Sequence, residues 1–432
     1  MTCEVMLMNL EGIALAADSA VTIVDSRGVA TFSQTGVDKV FVLDESSPIG
    51  GMVYGLATFA DYPWKTVVAA FLAGQRDRPF EGVQDCADRL IGWLGSMDAS
   101  GAHGIALTPQ QEATTFRHYV EGFVDRFFVL TAQRARSADG PFPADLLETA
   151  MNDLQEEILQ EADYAPGQIV KQSTARVARA SIGKPTDRLA KFLAQHMEPA
   201  LTRALKRYFA NTTVTPALRE RATSLLTKSV LTDWLPPATW YTGLVAAGFG
   251  RKDFTPFFVN LHILGAFGGV VKHRFEKAGA PIAGRSPVVF ESYAQNELIT
   301  AFRSGAQQRF MQVAYYATVA GIAQTLGEML DLVAKKDPVL AKEAAVLARR
   351  AVTQVPAVAF GHAVADREAF VNETLGPLLD SASLDTLGRH AAKLVQLSVL
   401  EHELTGSGAV GRPVSILKME KGKCRLEKDA SA

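Results

Sequence analysis

Three cysteines in 432 residues are too few for a disulfide framework, and Cys3, Cys86 and Cys424 form no CxxC pair. A reducing compartment is expected. No apolar run approaches the ~20 residues that a membrane span needs. Charge is missing as a signal as well: 44 Lys and Arg stand against 46 Asp and Glu, a formal net charge of -2. That balance gives no electrostatic case for a nucleic-acid or anionic-membrane partner. The eight histidines include no HxxxH pair, and neither a metal nor a cofactor is expected. Glu4 and Glu11 interrupt the basic-then-apolar layout of a secretion signal, so the chain reads as cytoplasmic. Internal repeats and low-complexity tracts are absent too.

What remains is an ordinary globular composition, 48% apolar and 21% charged, long enough for two or three average domains or one domain with large insertions. Residues 5–8 and 13–17 are short apolar runs around Asn9-Leu10-Glu11-Gly12, which predicts a hairpin. A polar stretch follows. Strands are expected over 37–43 and 49–54, the second ending at Gly55. Helical spacing then sets in over 61–73, with Trp64, Val67, Val68, Phe71 and Leu72 on one side, and again over 83–94.

Residues 98–240 have helical texture, an acidic amphipathic stretch (143–162) preceding a basic one (171–191), with a break at Pro236-Pro237. The basic stretch, with Arg176, Arg179, Lys184, Arg188 and Lys191, reads as a solvated face or as the partner of the acidic stretch in a helical hairpin. Strand texture returns over 243–249, 256–264 and 269–275. Helices are expected over 296–302, over most of 310–379 and over 384–404, and 413–419 reads as the last strand. This order suggests two sheet halves with helices on both outer faces, four layers in all.

Thr2 sits directly behind Met1. A threonine hydroxyl is a poor nucleophile without a base beside it. Removal of Met1, usual before so small a residue, would give Thr2 a free α-amine able to act as that base without any pro-peptide. Taken alone, Thr2 is more often just a tolerated second residue. Asp18 alone is a turn former and Lys39 alone a solvent-facing strand residue. Cys3 is a rival nucleophile only if Thr2 is also removed, and reads better as a small buried strand residue.

Two other motifs fail on context. Gly406-Ser407-Gly408-Ala409-Val410-Gly411 spells GxGxxG but follows a helix and precedes a strand, the reverse of a dinucleotide site, and reads as a helix stop. Ser415-Ile416-Leu417-Lys418 spells SxxK on a strand, where that odd spacing puts the two side chains on opposite faces.

In combination the residues resemble a family. Met1-Thr2, the Gly12-Ile13-Ala14-Leu15-Ala16-Ala17-Asp18-Ser19 run and Asp38-Lys39-Val40 follow, in order, the opening of the proteasome β-subunit family. Its bacterial ATP-dependent peptidase relatives, among the N-terminal-nucleophile (Ntn) hydrolases, share that opening. Val53-Tyr54-Gly55 resembles its oxyanion-hole strand, and Gly243-Leu244-Val245-Ala246-Ala247-Gly248-Phe249 its central hairpin. Leu404-Thr405-Gly406, the following strand and Glu420-Lys421-Gly422 resemble its closing helix–turn–strand. Together these cover about half the chain.

The resemblance implies an α+β fold, a four-layer αββα Ntn-hydrolase sandwich of two antiparallel sheets with helical insertions. The discontinuous core would be 1–97, 241–310 and 384–432, and the inserts 98–240 and 311–383. The inserts have no counterpart in a typical β subunit; capping, gating or docking is expected of them. The implied site is Thr2 as nucleophile, Asp18 orienting Lys39, Gly55 N–H facing the oxyanion, and Thr405 in the place of a supporting serine. Where the family has an aspartate three residues before that serine, this chain has His402, between Glu401 and Glu403.

An α-amine has a reference pKa of about 7.7–8.0, which a nearby lysine cation would depress toward neutrality. Losing one oxyanion donor typically costs on the order of 3 kcal/mol of barrier. The implied function is a threonine hydrolase cleaving peptide bonds, acting on peptides or unfolded proteins. By the same analogy it would be a homo-oligomer served by an ATP-driven unfoldase. Two alternatives stay open: an Ntn acylase acting on a small-molecule amide, and a catalytically silent assembly or binding module.

Overall fold

A computed structural model describes residues 3–24, 30–34, 36–75, 78–101, 104–135, 141–159, 185–237, 241–282, 287–294, 299, 301, 308–405 and 410–429. The fold is mixed, helices around two five-stranded antiparallel sheets. The first half supplies β1 (Cys3–Met8), β2 (Gly12–Ala17), β3 (Val21–Val24), β4 (Ala30–Gln34), β5 (Val40–Asp44), β6 (Ile49–Gly55), β7 (Thr58–Phe59) and β8 (Tyr62–Pro63), then helices α1 (Trp64–Ala73) and α2 (Val83–Ser96). Four helices follow, α3 (Pro109–Arg134), α4 (Ala144–Leu159), α5 (Asp187–Tyr208) and α6 (Pro216–Val230). Strands β9 (Thr242–Gly248), β10 (Phe257–Phe267), β11 (Val270–Gly279) and β12 (Val289–Ala294) lead to α7 (Gln308–Ala334), α8 (Pro338–Asp380) and α9 (Leu384–Thr405). Strands β13 (Val414–Glu420) and β14 (Lys423–Asp429) end the chain.

The strand order is β12-β1-β2-β13-β14 in one sheet and β11-β10-β9-β6-β5 in the other. Strands β1, β2, β6 and β9 are apolar on both faces, because each face meets a different neighbour. Val5 and Leu7 of β1, Ala14 and Ala16 of β2, and Val414 and Ile416 of β13 pack with Leu387, Ala391, Val395 and Val399 of α9. The alternate residues Met6, Leu15 and Leu417 share a core with Met52, Val245 and Phe258 of the other sheet. That sheet's remaining face, including Val53, Leu244 and Val259, packs with Val67 and Phe71 of α1 and Leu90 of α2. Close approach of the sheets needs small residues. A Cβ on Gly50 would lie 2.2 Å from Leu417 Cδ2.

Helices α3–α6 have a core of their own, with Phe116, Tyr119, Phe123 and Phe127 of α3 at its centre and Phe267 of β10 inserted into it. Threonines cap three of these helices: the side chains of Thr108, Thr186 and Thr215 accept from Gln111, Leu189 and Leu218 N–H. Helix α4 carries the acidic stretch. Its Asp153 and Glu157 meet Arg134 and Arg126 of α3, and Glu148 meets Arg221 of α6. Of the basic stretch, Arg188 bonds Glu112 of α3; Arg176, Arg179 and Lys184 lie outside the described residues.

Several expectations need correction. The polar stretch after Ser19 forms the β3–β4 hairpin. Strand β5 starts at Val40 because Val37 N–H donates to Ser19 O and leaves the ladder. Helix α1 starts at Trp64, since Ala60 and Asp61 take left-handed turn conformations between β7 and β8. A strand that the sequence does not signal, β12, pairs with β1, and β13 is followed by β14. The 296–302 helix and the Gly406-Ser407-Gly408 stop fall outside the described residues, apart from Ile299 and Ala301.

Candidate active site

Both sequence-predicted charged residues sit where strands end. Asp18 follows β2 directly, its N–H donating to Cys3 O on the neighbouring β1. Its carboxylate is buried and accepts four hydrogen bonds. Cys3 N–H (2.9 Å) and Lys39 Nζ (2.6 Å) donate to Oδ1, and Ala20 N–H (2.9 Å) and Gly411 N–H (3.0 Å) to Oδ2. Four donors thus converge on one carboxylate at this corner. Lys39 precedes β5, and its carbonyl accepts from Val53 N–H at 2.9 Å, so its backbone is anchored on β6. Its side chain is only 2% exposed.

A second acid completes the cluster. Glu4 Oε1 lies 3.6 Å from Lys39 Nζ, and both side chains are buried. Glu4 faces between the sheets with Met6 and Met8, because β1 alternates and Cys3, Val5 and Leu7 face α9. An acid flanked by Cys3 and Val5 in an apolar strand was the available sequence signal for it. Gly411 gave none.

Gly55 closes β6 with φ +76°, a left-handed conformation that favours glycine. A Cβ there would lie 2.5 Å from Tyr241 O. Tyr241 O also accepts from Leu56 N–H at 3.1 Å. Gly55 is exposed, in contrast to the six buried residues of β6 before it.

Behind Gly55 stands a polar cluster that the sequence did not reveal. Tyr54 Oη lies 3.0 Å from Asn260 Oδ1 and 2.9 Å from His262 Nε2. Its single proton goes to Asn260 Oδ1, which can only accept, so at His262 the phenol oxygen is the acceptor. His262 Nδ1 lies 2.9 Å from Glu276 Oε1, and Arg274 bonds the same carboxylate. Burial pushes the Glu276 carboxyl up, but His262 and then Arg274 hold it below its ordinary value. The Tyr241 ring stacks on His262 with centroids 3.8 Å apart, and Tyr54 stacks on Tyr293 at 5.0 Å. Burial raises the Tyr54 phenol, with Asn260 opposing, so it stays neutral.

No protein-family model matches this chain, and no curated protein aligns with it.

The remaining predicted site residues are less defined. Thr2 lies outside the described residues; Cys3, its covalent neighbour, is the first one described. Thr405 is the last residue of α9, and its side chain is likewise outside them. The structure thus brings together Asp18 and Lys39 and adds Glu4 and Gly411. Cys3 is fully buried, and desolvation pushes its thiol far up, with a Ser398 hydrogen bond pulling the other way. A thiol so held is a poor nucleophile. Ser415 and Lys418 face opposite sides of β13, Lys418 reaching Asp385 of α9 at 2.7 Å. Among the described residues no group of three or more His, Cys, Asp or Glu could hold a metal ion.

Proposed function

We propose that the protein is a threonine-dependent amide hydrolase of Ntn type, with Thr2 as nucleophile once Met1 is removed. The observation that carries this reading is the buried Lys39–Asp18 pair, 2.6 Å long, whose Asp18 also binds the backbone N–H of Cys3. The chain segment next to Thr2 is thereby tied to a fixed lysine and carboxylate. The supporting fold reading is a four-layer αββα sandwich, with helical inserts at 98–240 and 311–383 on a core of 1–97, 241–310 and 384–432. It draws on the core between the sheets and the helices packed on their outer faces.

In this mechanism the neutral α-amine of Thr2 takes the hydroxyl proton, through a water, as Oγ attacks the substrate carbonyl. Lys39 keeps the amine from holding its proton too tightly. Asp18 orients Lys39, and Glu4 offsets part of its charge. The developing oxyanion is taken by Gly55 N–H, for which a left-handed, exposed glycine leaves backbone access. The protonated amine gives its proton to the leaving nitrogen, leaving an ester on Thr2 that water then hydrolyses. Peptides or unfolded polypeptides are the substrates in this reading, with an ATP-driven unfoldase as the partner that supplies them.

The test is hydrolysis of unstructured peptides and of small acyl amides by the wild type and Thr2→Ala. The proposal requires peptide cleavage that Thr2→Ala loses. Undiminished cleavage by Thr2→Ala would refute it.

A further inference from the structure

We propose that His262 is a positioning residue for the oxyanion turn, holding Gly55 in place from both of its flanks. The proposal rests on the reading of Gly55 N–H as the oxyanion donor, and adds to it a side chain outside the Asp18–Lys39 cluster.

Gly55 N–H belongs to the peptide that follows Tyr54, so its direction depends on how Tyr54 and the residue beyond Gly55 are held. On the near flank, the Tyr54 hydroxyl donates to Asn260 Oδ1 at 3.0 Å and accepts from His262 Nε2 at 2.9 Å. On the far flank, Leu56 N–H donates to Tyr241 O at 3.1 Å, and Leu56 O accepts from Thr242 Oγ1 at 2.9 Å. Tyr241 is itself held through its ring, which stacks on His262 with centroids 3.8 Å apart. One imidazole therefore touches both anchors of the turn, Tyr54 through a ring nitrogen and Tyr241 through its face.

The sheet register places it there. His262 of β10 and Tyr54 of β6 both lie opposite Gly243 of β9, one from each side. A Cβ on Gly243 would lie 1.9 Å from the Tyr54 ring, so the missing side chain is what lets that ring cross β9 and reach β10. From β11, Glu276 Oε1 lies 2.9 Å from His262 Nδ1 and is bonded in turn by Arg274. With one nitrogen facing Glu276 and the other Tyr54, the imidazole cannot rotate without losing both partners.

The residue type matters as well. Phenylalanine at this position would stack on Tyr241 but leave the Tyr54 hydroxyl without its donor. Glutamine would donate to Tyr54 but offer no ring. Histidine supplies the flat ring and the N–H together. Nor does the space itself call for a polar filling. Met6, Leu15, Met52, Val245 and Phe258 pack between the same sheets, whereas Tyr54, Asn260 and His262 are each less than a tenth exposed. Apolar replacements of buried polar groups are often neutral or stabilising. A satisfied polar network adds one fixed arrangement instead, which is useful beside a donor that must meet a developing charge at a set place.

The test compares the wild type with two variants. His262→Phe keeps a ring against Tyr241 but cannot donate to Tyr54, and His262→Gln keeps a donor but loses the ring. In peptide hydrolysis each should lower kcat about 10- to 100-fold with KM little changed, because an oxyanion donor acts on the transition state rather than on bound substrate. Inhibition by a peptide aldehyde, whose adduct with Thr2 places its oxygen at the oxyanion donor, should weaken by a similar factor. Tyr54→Phe removes the same hydrogen bond as His262→Phe, so combining the two should cost no more kcat than Tyr54→Phe alone. Hydrogen exchange of the segment that carries Leu56, followed by mass spectrometry, should quicken in both His262 variants whatever the activity. If one variant fails to fold by circular dichroism, the other gives the answer. Unchanged kcat, a loss confined to KM, full additivity with Tyr54→Phe, or unchanged exchange at Leu56 overturns the proposal. Cleavage that survives Thr2→Ala refutes the threonine reading instead, and exchange at Leu56 then decides for or against His262 on its own.

Discussion

Lys39 Nζ lies 2.6 Å from Asp18 Oδ1 and 3.6 Å from Glu4 Oε1, with all three side chains out of contact with water. Two buried acids thus share one buried base. Removing one partner of such a pair typically costs about 3–5 kcal/mol, because the charge left behind has lost its hydration and its counter-ion. Lys39→Met should destabilise the protein by that order. Adding Glu4→Gln removes one stranded anion, so it should cost less in the Lys39→Met background than in the wild type, or restore stability. A double-mutant cycle from urea unfolding measures this. Additive effects would mean that Glu4 and Lys39 do not interact.

Gly55 is confined twice, by its φ of +76° and by Tyr241 O at 2.5 Å from a would-be Cβ. Gly55→Ala should therefore lower stability by about 1–3 kcal/mol through backbone strain, besides reducing any hydrolysis. A thermal melt equal to the wild type would show that the turn relaxes freely and that the oxyanion strand is less fixed than drawn.

Tyr54 and Gly243 make a paired prediction. A Cβ on Gly243 would lie 1.9 Å from the Tyr54 ring, so Gly243→Ala must expel the ring from its place beside Asn260 and His262. Tyr54→Phe only deletes the hydroxyl, leaving its buried neighbours short of a partner at a cost of about 1–3 kcal/mol. Gly243→Ala should thus be the more destabilising of the two in chemical denaturation. The reverse order would contradict the packing.

Lys272 supplies a pH dependence remote from the site. Its ammonium is buried, donates to Ser229 O (2.6 Å) and Thr232 O, and lies over the Tyr119 ring. Burial pushes it down to about 7, with Asp233 opposing. Between that value and its ordinary 10.5 the unfolded chain binds more protons than the folded one, so stability rises with pH across this window. The slope is at most about 1.4 kcal/mol per pH unit. As pH falls toward 7 the contribution is lost. Melting curves from pH 7 to 9 should show the rise in the wild type and a flatter profile in Lys272→Met; identical profiles would exclude the lysine as its source.

The sequence showed the strands that are apolar on both faces, because β1, β2, β6 and β9 read as unbroken runs bounded by turns. It hid β3, β4, β12 and β14, in which polar residues interrupt any continuous apolar run, as in Lys423-Cys424-Arg425-Leu426-Glu427. Asp18, Lys39 and Gly55 were legible from the order of short motifs. Gly411 was not, because its bond to Asp18 spans 393 residues of chain separation. The Tyr54–His262 contact, 208 residues apart, was hidden for the same reason. Glu4 was visible but read only as a charge, since nothing local tells an acid in an apolar strand which base it will meet.

The central claim is a live nucleophile at Thr2, and intact mass after exposure to a peptide epoxyketone tests it most directly. That electrophile closes its stable ring only with a hydroxyl and a free α-amine on one residue. The account predicts loss of Met1 and a single adduct mapping to Thr2, absent from Thr2→Ala. Retained Met1, or an adduct that persists in Thr2→Ala, would contradict it.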